Sequence, residues 1–286
     1  YDSHVDMINS ENIEIVSICT PPETHLSIIE DILSLDNKIK AIFCEKPLDV
    51  SIENCKKIKK LCDKNNIKLA INTWRRWDIF HQEIKNVIDS GVIGKPHTFH
   101  CNGHVGIMNT GSHLIDLIHM YSSSTFKSVY GKLIDEKYTD PGFIGIGTLT
   151  SGINVNIDNT WRENQKFGIT ILGETGQLTA LASGVLLDEY KITKDSGDKI
   201  IKKRNSGYNS PMLNAAYNIV ESIENSEVKI LSCCNEGINT MKAIAGFYMS
   251  HKESKEIIIN NDFDKNLKYS SIKLESRYTS STKSGR

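Results

Sequence analysis

The run Ile13-Glu14-Ile15-Val16-Ser17-Ile18-Cys19-Thr20-Pro21-Pro22 decides the fold. It has strand length, is rich in β-branched residues, and is stopped at once by two prolines that cannot donate to a ladder. Downstream, Thr24 is placed to cap a helix carrying Leu26, Ile29, Ile32 and Leu33 on one stripe. The pattern then repeats. Lys40 to Cys44 is a second short apolar run closed by Pro47, and Ser51 opens a helix with Ile52, Cys55, Ile58, Leu61 and Cys62 at helical spacing. Ile67 to Asn72 is a third strand. Asp78 caps a further helix through Ile88, and Gly91 stands where a left-handed C-terminal residue belongs. Strand, helix, strand, helix, strand predicts a parallel sheet with right-handed crossovers, and near-continuous apolarity predicts strands covered on both faces.

After Pro96 the texture changes. His97–Gly103, Lys127–Leu133, Phe143–Thr150, Ile153–Asn159, Phe167–Leu172, Gln177–Ala182 and Val185–Thr193 read as strands of the antiparallel kind. Thr150-Ser151-Gly152 and Ala182-Ser183-Gly184 read as hairpin turns. Helices are expected near Ser112 to Tyr121, Met212 to Ile223 and Glu236 to His251. The fold class is therefore α/β: a partial doubly wound parallel sheet, then an α+β domain with an open, mostly antiparallel sheet. Expected boundaries are 1–96, 97–268 and a polar tail at 269–286.

The 286 residues carry 34 basic and 35 acidic side chains, a net charge of −1, which points to neither nucleic acid nor a membrane surface. No apolar run has the length of a membrane span. Lysine clusters at 56–60 and Lys202-Lys203-Arg204 read as solvated faces. The seven cysteines are odd in number and lack zinc spacing, so they read as buried reduced thiols of a cytoplasmic protein, with no metal site.

Three segments carry chemistry. In a doubly wound sheet ligands lie beyond the carboxyl ends of the strands, which is where Glu45-Lys46-Pro47 falls. Lys46 there can orient a substrate hydroxyl or share in its proton transfer, Glu45 can hold the ammonium, and Pro47 stiffens the loop; the pair is equally at home on a solvated surface. Thr20, Pro21 and Pro22 end the preceding strand at the same edge, with His25 in the first helical turn, and can meet a ribose or nicotinamide. In Met108-Asn109-Thr110-Gly111-Ser112-His113, the spacing of four puts Asn109 and His113 on one helix face. His113 is a candidate general base and Asn109 can orient its ring; a lone histidine at a helix start is otherwise a cap or a packed residue. Asp116 is either a supporting partner or exposed. Trp161 and Arg162, at a strand end, are candidates for lining a substrate pocket.

In order and spacing, Val16 to Pro21 with His25, Glu45-Lys46-Pro47 and Asn109 to Asp116 resemble the Gfo/Idh/MocA family of oxidoreductases. Trp74-Arg75-Arg76, Gly91 to Pro96, Ile171 to Gly176 and Glu236 to Thr240 resemble its other landmarks. The resemblance implies NAD or NADP, with Thr20, Pro21, Pro22, His25, Glu45, Lys46 and Arg76 near the cofactor. It implies a sugar, polyol or nucleotide-sugar substrate met by Lys46, Arg75, Asn109 and His113. Hydride passes to nicotinamide while Lys46 and His113 frame the carbinol carbon. Many members carry an aspartate where this chain has Asn109, which resembles the branch acting on nucleotide-linked sugars. A homo-oligomer through the second domain's sheet is implied as well. A non-enzymatic sugar-binding or assembly relative and an NAD-dependent glycosidase are the alternatives.

Such enzymes begin with a strand, a Gly-x-Gly-x-x-Gly turn and a helix receiving the pyrophosphate. The nearest run, Gly142-Phe143-Ile144-Gly145-Ile146-Gly147, lies within a strand pattern with no helix after it. Together with the opening residue Tyr1, this leads to the expectation of a chain lacking the first three strands of its nucleotide domain and retaining strands four to six.

Overall fold

The computed structural model describes residues 1–104, 106–136, 140–160, 166–182 and 186–263. They divide into two compact units, Tyr1–Gln82 with Gly207–Lys242, and Glu83–Ser206 with Ala243–Phe263.

The first unit holds the expected parallel sheet, β1 (Ile15–Ile18), β2 (Ala41–Cys44) and β3 (Lys68–Ile71), in the order β1-β2-β3. Helix α1 (His4–Ser10) precedes it; the Ser3 hydroxyl accepts the Val5 N–H at 3.1 Å. Helices α2 (His25–Ser34) and α3 (Ile52–Lys64) are the crossovers. Ser51 caps α3 as expected, accepting the Asn54 N–H at 3.2 Å. Thr24 does not cap α2: a 3₁₀ turn at Pro22–Thr24 comes first, and the Thr24 hydroxyl turns back to donate to Pro21 O at 2.7 Å. Strands β2 and β3 are covered on both faces, whereas β1 alternates, with Val16 and Ile18 buried and Ile15 and Ser17 exposed, so one face of β1 is open.

Helix α4 (Ile79–Asp89) runs on into the second unit, with the Phe80 N–H on Asp78 Oδ1 at 3.0 Å and Gly91 at φ +74°. Eight strands follow: β4 (Pro96–Gly103), β5 (Phe126–Ile134), β6 (Gly142–Leu149), β7 (Asn154–Asn159), β8 (Gly168–Gly173), β9 (Gly176–Leu181), β10 (Glu189–Lys194) and β11 (Lys199–Lys203). With β12 (Ile257–Ile258) they form one nine-stranded sheet, ordered β11-β10-β9-β8-β4-β7-β6-β5-β12. Only the β4–β7 pairing is parallel. Helix α5 (Ser112–Ser122) interrupts the series. The β6–β7 turn is the expected one, with Gly152 at φ +87°; the second expected turn lies partly in residues 183–185, outside the described residues. Strand β11 departs from expectation: its five residues are all exposed, so no alternation marks it in the sequence.

The glycines of β6 make room for rings. A Cβ on Gly145 would lie 2.5 Å from Phe247, and one on Gly147 2.6 Å from Phe126. They are packing glycines, not a phosphate turn. The joining segment 91–96 meets the β8–β9 hairpin through Thr175 N–H to Ile93 O at 3.0 Å and Glu174 N–H to Lys95 O at 3.2 Å.

The expected division at 96 is replaced by one at 82, and the expected second domain, 97–268, is not continuous. Helix α6 (Pro211–Glu224) belongs to the first unit, where Ala215 and Ile219 join Ala41, Ala70 and Trp77 in one buried cluster. Asn218 accepts the Trp77 indole N–H at 2.9 Å, and the Asn214 amide donates to Trp77 O at 2.9 Å. The apolar stripe was readable; its destination depended on Trp77, far off in the chain. Helix α7 (Cys234–Glu253) then runs from the first unit into the second. The tail at 269–286 lies outside the described residues.

Candidate functional site

The carboxyl ends of β1 and β2 sit side by side, Ile18 opposite Cys44, with the Glu45 N–H on Ile18 O at 2.9 Å. Two candidate loops thereby share one edge of the sheet: Thr20-Pro21-Pro22 after β1 and Glu45-Lys46-Pro47 after β2. Thr20 and Pro21 are exposed, whereas Lys46 is half-buried and precedes a cis peptide bond to Pro47. The Thr20 and Thr24 hydroxyls are hydrogen-bonded at 2.7 Å.

Glu45 is fastened on both carboxylate oxygens. Oε1 accepts the side-chain amide of Asn72, just beyond β3, at 2.6 Å, and Oε2 accepts the Lys46 N–H at 3.2 Å. A charge-assisted bond of this kind is worth more than a neutral one, so Asn72 ties the ends of β2 and β3 together. Asn72 was not singled out in the sequence, where it reads only as the last residue of a strand.

His25, expected near the cofactor, meets backbone carbonyls on both sides. It is fully buried, with Nδ1 2.9 Å from Leu48 O and Nε2 2.9 Å from Thr20 O. Both ring edges face backbone carbonyls, so the imidazole staples one loop to the other. Beside it Asp49 is buried, Oδ1 accepting the Ser51 N–H at 2.8 Å and the Asn54 amide at 3.1 Å. Desolvation raises its carboxyl pKa, offset in part by the Ser51 and Asn54 hydrogen bonds and by His25.

Arg75 is buried, its guanidinium 4.3 Å from the Trp74 ring centroid. Arg76 donates to Leu231 O at 3.5 Å. Both stand in a 3₁₀ turn, Trp74–Trp77, directly after β3.

In the second unit Asn109 and His113 lie on one helical run, but it opens as a π turn at Ile107–Gly111, with the Gly111 N–H on Gly106 O at 3.1 Å, before α5 begins. Such turns are found often at functional sites. His113 is buried. Asp116 is buried too, which sets aside the exposed alternative for it. Trp161 and Arg162 fall in 161–165, outside the described residues.

Among the described residues no group of His, Cys, Asp and Glu could hold a metal ion, and no helix is long and apolar enough to cross a membrane. All seven cysteines are free. Burial pushes the thiols of Cys44, Cys55, Cys101 and Cys234 up, and that of Cys62 to about 12, so these stay protonated and inert. Cys19, expected with the buried thiols, is exposed at the end of edge strand β1.

Residues 1–73 match a family model described as an oxidoreductase family with an NAD-binding Rossmann fold. An inositol 2-dehydrogenase of Salmonella typhimurium is 31% identical over 218 residues, covering 68% of this chain and 63% of that protein. The chain thus spans just under two thirds of the curated relative's length. Among solved structures, a super-repressor mutant of Gal80p from Saccharomyces cerevisiae superposes with a TM-score of 0.80 at 16% identity, covering 93% of this chain and 85% of that one. A putative myo-inositol dehydrogenase from Sinorhizobium meliloti does so at 0.73 and 22%, covering 90% and 84%. At these identities the two structures show the fold alone.

Proposed function

The chain belongs to the Gfo/Idh/MocA oxidoreductase family, and from that premise we propose that the protein is an NAD- or NADP-dependent dehydrogenase acting on a hydroxyl-bearing carbon of a sugar, polyol or nucleotide sugar. The observation that carries this reading is the placing of Lys46: half-buried, at the carboxyl end of a parallel strand, on a loop pinned by Glu45, Asn72 and His25. The inositol 2-dehydrogenase relative supports a polyol or sugar as the substrate class.

The residues present fit the nicotinamide end of such a cofactor. Thr20, Pro21 and Pro22 offer an exposed hydroxyl and backbone at the edge where ligands of parallel sheets lie. Among the described residues no strand is followed by a Gly-x-Gly-x-x-Gly turn, so none is assigned to the pyrophosphate. The bound nicotinamide supplies the hydride acceptor. Lys46 orients the reacting hydroxyl through its ammonium, His113 takes the hydroxyl proton, and the Asn109 amide fixes the imidazole without adding charge. Arg75 and Arg76 lie beyond the neighbouring strand and are assigned to the polar rim of the substrate and cofactor.

NADH fluorescence titration, followed by absorbance at 340 nm with NAD or NADP and a panel of polyols, aldoses and nucleotide sugars, tests the reading. Binding and turnover are expected, with Lys46→Ala removing turnover and leaving binding. Absence of both would favour a non-enzymatic relative.

We further assign the outer face of the large sheet to self-association. Tyr130, Ile144 and Ile146 are exposed there around a cavity of about 630 Å³. The free thiols support a reducing compartment, the cytoplasm.

A further inference from the structure

Asp140 has no role in the reading above, yet it holds the segment that carries Asn109 and His113. Its Oδ1 accepts the Met108 N–H at 2.8 Å and its Oδ2 the Asn109 N–H at 3.0 Å. The next carbonyl, Pro141 O, accepts the Ile107 N–H at 2.8 Å. Three consecutive donors that the start of a helical run leaves without intrahelical partners are thus satisfied from one strand entry. The approach needs glycine opposite: a Cβ on Gly106 would lie 1.8 Å from Asp140 Cγ. Gly106 O in turn receives the Gly111 N–H that closes the π turn. Gly106 and Asp140 therefore act as one seat for the turn in which Asn109 sits, one step ahead of His113.

We propose that Asp140 is the positioning residue for Asn109 and His113, acting through the backbone of the π turn and not by touching substrate. The proposal rests on the reading of these two as the reacting pair. The family resemblance places an aspartate where Asn109 stands. Here the neutral Asn109 is combined with a carboxylate brought to its own N–H from the entry to β6. A negative group at this end of the run also meets the positive end of the helix dipole, which an asparagine side chain cannot do.

Two variants break the contact from opposite sides. Asp140→Ala deletes the carboxylate; Gly106→Ala keeps it and denies it the space. Each is expected to lower kcat by roughly 10²-fold, the effect of a reacting group displaced by about 1 Å, with NADH affinity unchanged. Asp140→Asn retains one acceptor oxygen and is expected to recover part of the rate. Ser250→Ala cuts hydrogen bonds to the Gly131 N–H and Lys255 O in the same unit and serves as the control for lost stability, with kcat unchanged.

A second readout does not depend on turnover. In imidazole-labelled protein, with His113 assigned through His113→Gln, Asp140→Ala should shift the His113 ring resonance and speed amide exchange at Met108 and Asn109. Ser250→Ala should do neither. If the wild-type protein turns over no substrate, the reading of the reacting pair fails while the His113 resonance still decides the positioning. Unchanged His113 resonances and amide exchange in Asp140→Ala would overturn the proposal, as would an equal response to Ser250→Ala. Should Gly106→Ala unfold the second unit, the Asp140→Ala and Asp140→Asn pair carries the test.

Discussion

In the first unit, Lys46 stands on a loop, and the loop is held by side chains: Asn72 on Glu45, His25 across to Thr20 O and Leu48 O. In the second unit, His113 stands on a helix, and what is held is the backbone at its entry, by Asp140 and Pro141. The difference follows from the backbone's own bonding. Loop residues have no ladder to locate them, so each needs a strap. A helix carries its own i→i−4 ladder, so securing the first turn orients everything after it. The cores differ likewise. The first unit buries small residues against Trp77, whereas the second lays Phe247 on a floor of glycines.

The largest expected effects fall on turnover. Lys46→Ala should abolish it and His113→Ala should lower it by roughly 10²–10⁴-fold, read from steady-state rates. Near-normal rates in both would mean that neither residue carries the chemistry assigned to it.

Next comes the contrast of cores. Phe247 makes ring contacts with Phe126 and Phe143 at 5.9 and 4.9 Å and covers Gly131 and Gly145. Phe247→Ala should cost about 3–5 kcal/mol in urea unfolding, with amide exchange rising in β5 and β6. A loss below about 1 kcal/mol would show that the glycine floor collapses to fill the space.

His25→Ala is a smaller break, removing the imidazole from between Leu48 O and Thr20 O at a cost on the order of 1–2 kcal/mol. Amide exchange should rise in the segments after Thr20 and Leu48 and stay unchanged in α5. Equal loosening of α5 would erase the distinction between strapped loop and anchored helix.

The smallest effect concerns pH. Asp49's carboxyl pKa is raised in the fold by desolvation, so folding favours its protonated form. Its contribution is full below the unfolded value and is lost as pH rises through the raised folded one. Asp49→Asn should therefore flatten the fall in Tm over that window; parallel Tm–pH curves for the two proteins would contradict it.

Much of this could be read along the chain. The alternation from Ile13 to Ile88 announced β1 to β3 and their helices, because burial of a face imposes a period that neighbours in sequence must obey. Glu45-Lys46-Pro47 and Asn109 to His113 stood out because strand ends and helix starts are set by local residues. Asn72, Asp140 and the staple made by His25 did not. Each acts through a partner distant in sequence, and a polar residue leaves no periodic trace of which carbonyl or N–H it will meet.

By itself, then, the sequence determined the kinds of element, their order, and that Lys46 stands at a parallel strand's end. Those follow from propensity and period, which are local. Only the tertiary structure decided that α6 returns to the first unit, that His25 is spent on backbone, and that Asp140 seats the turn before His113. Those depend on which apolar face finds room and which buried donor finds an acceptor, and both are settled only when distant segments pack.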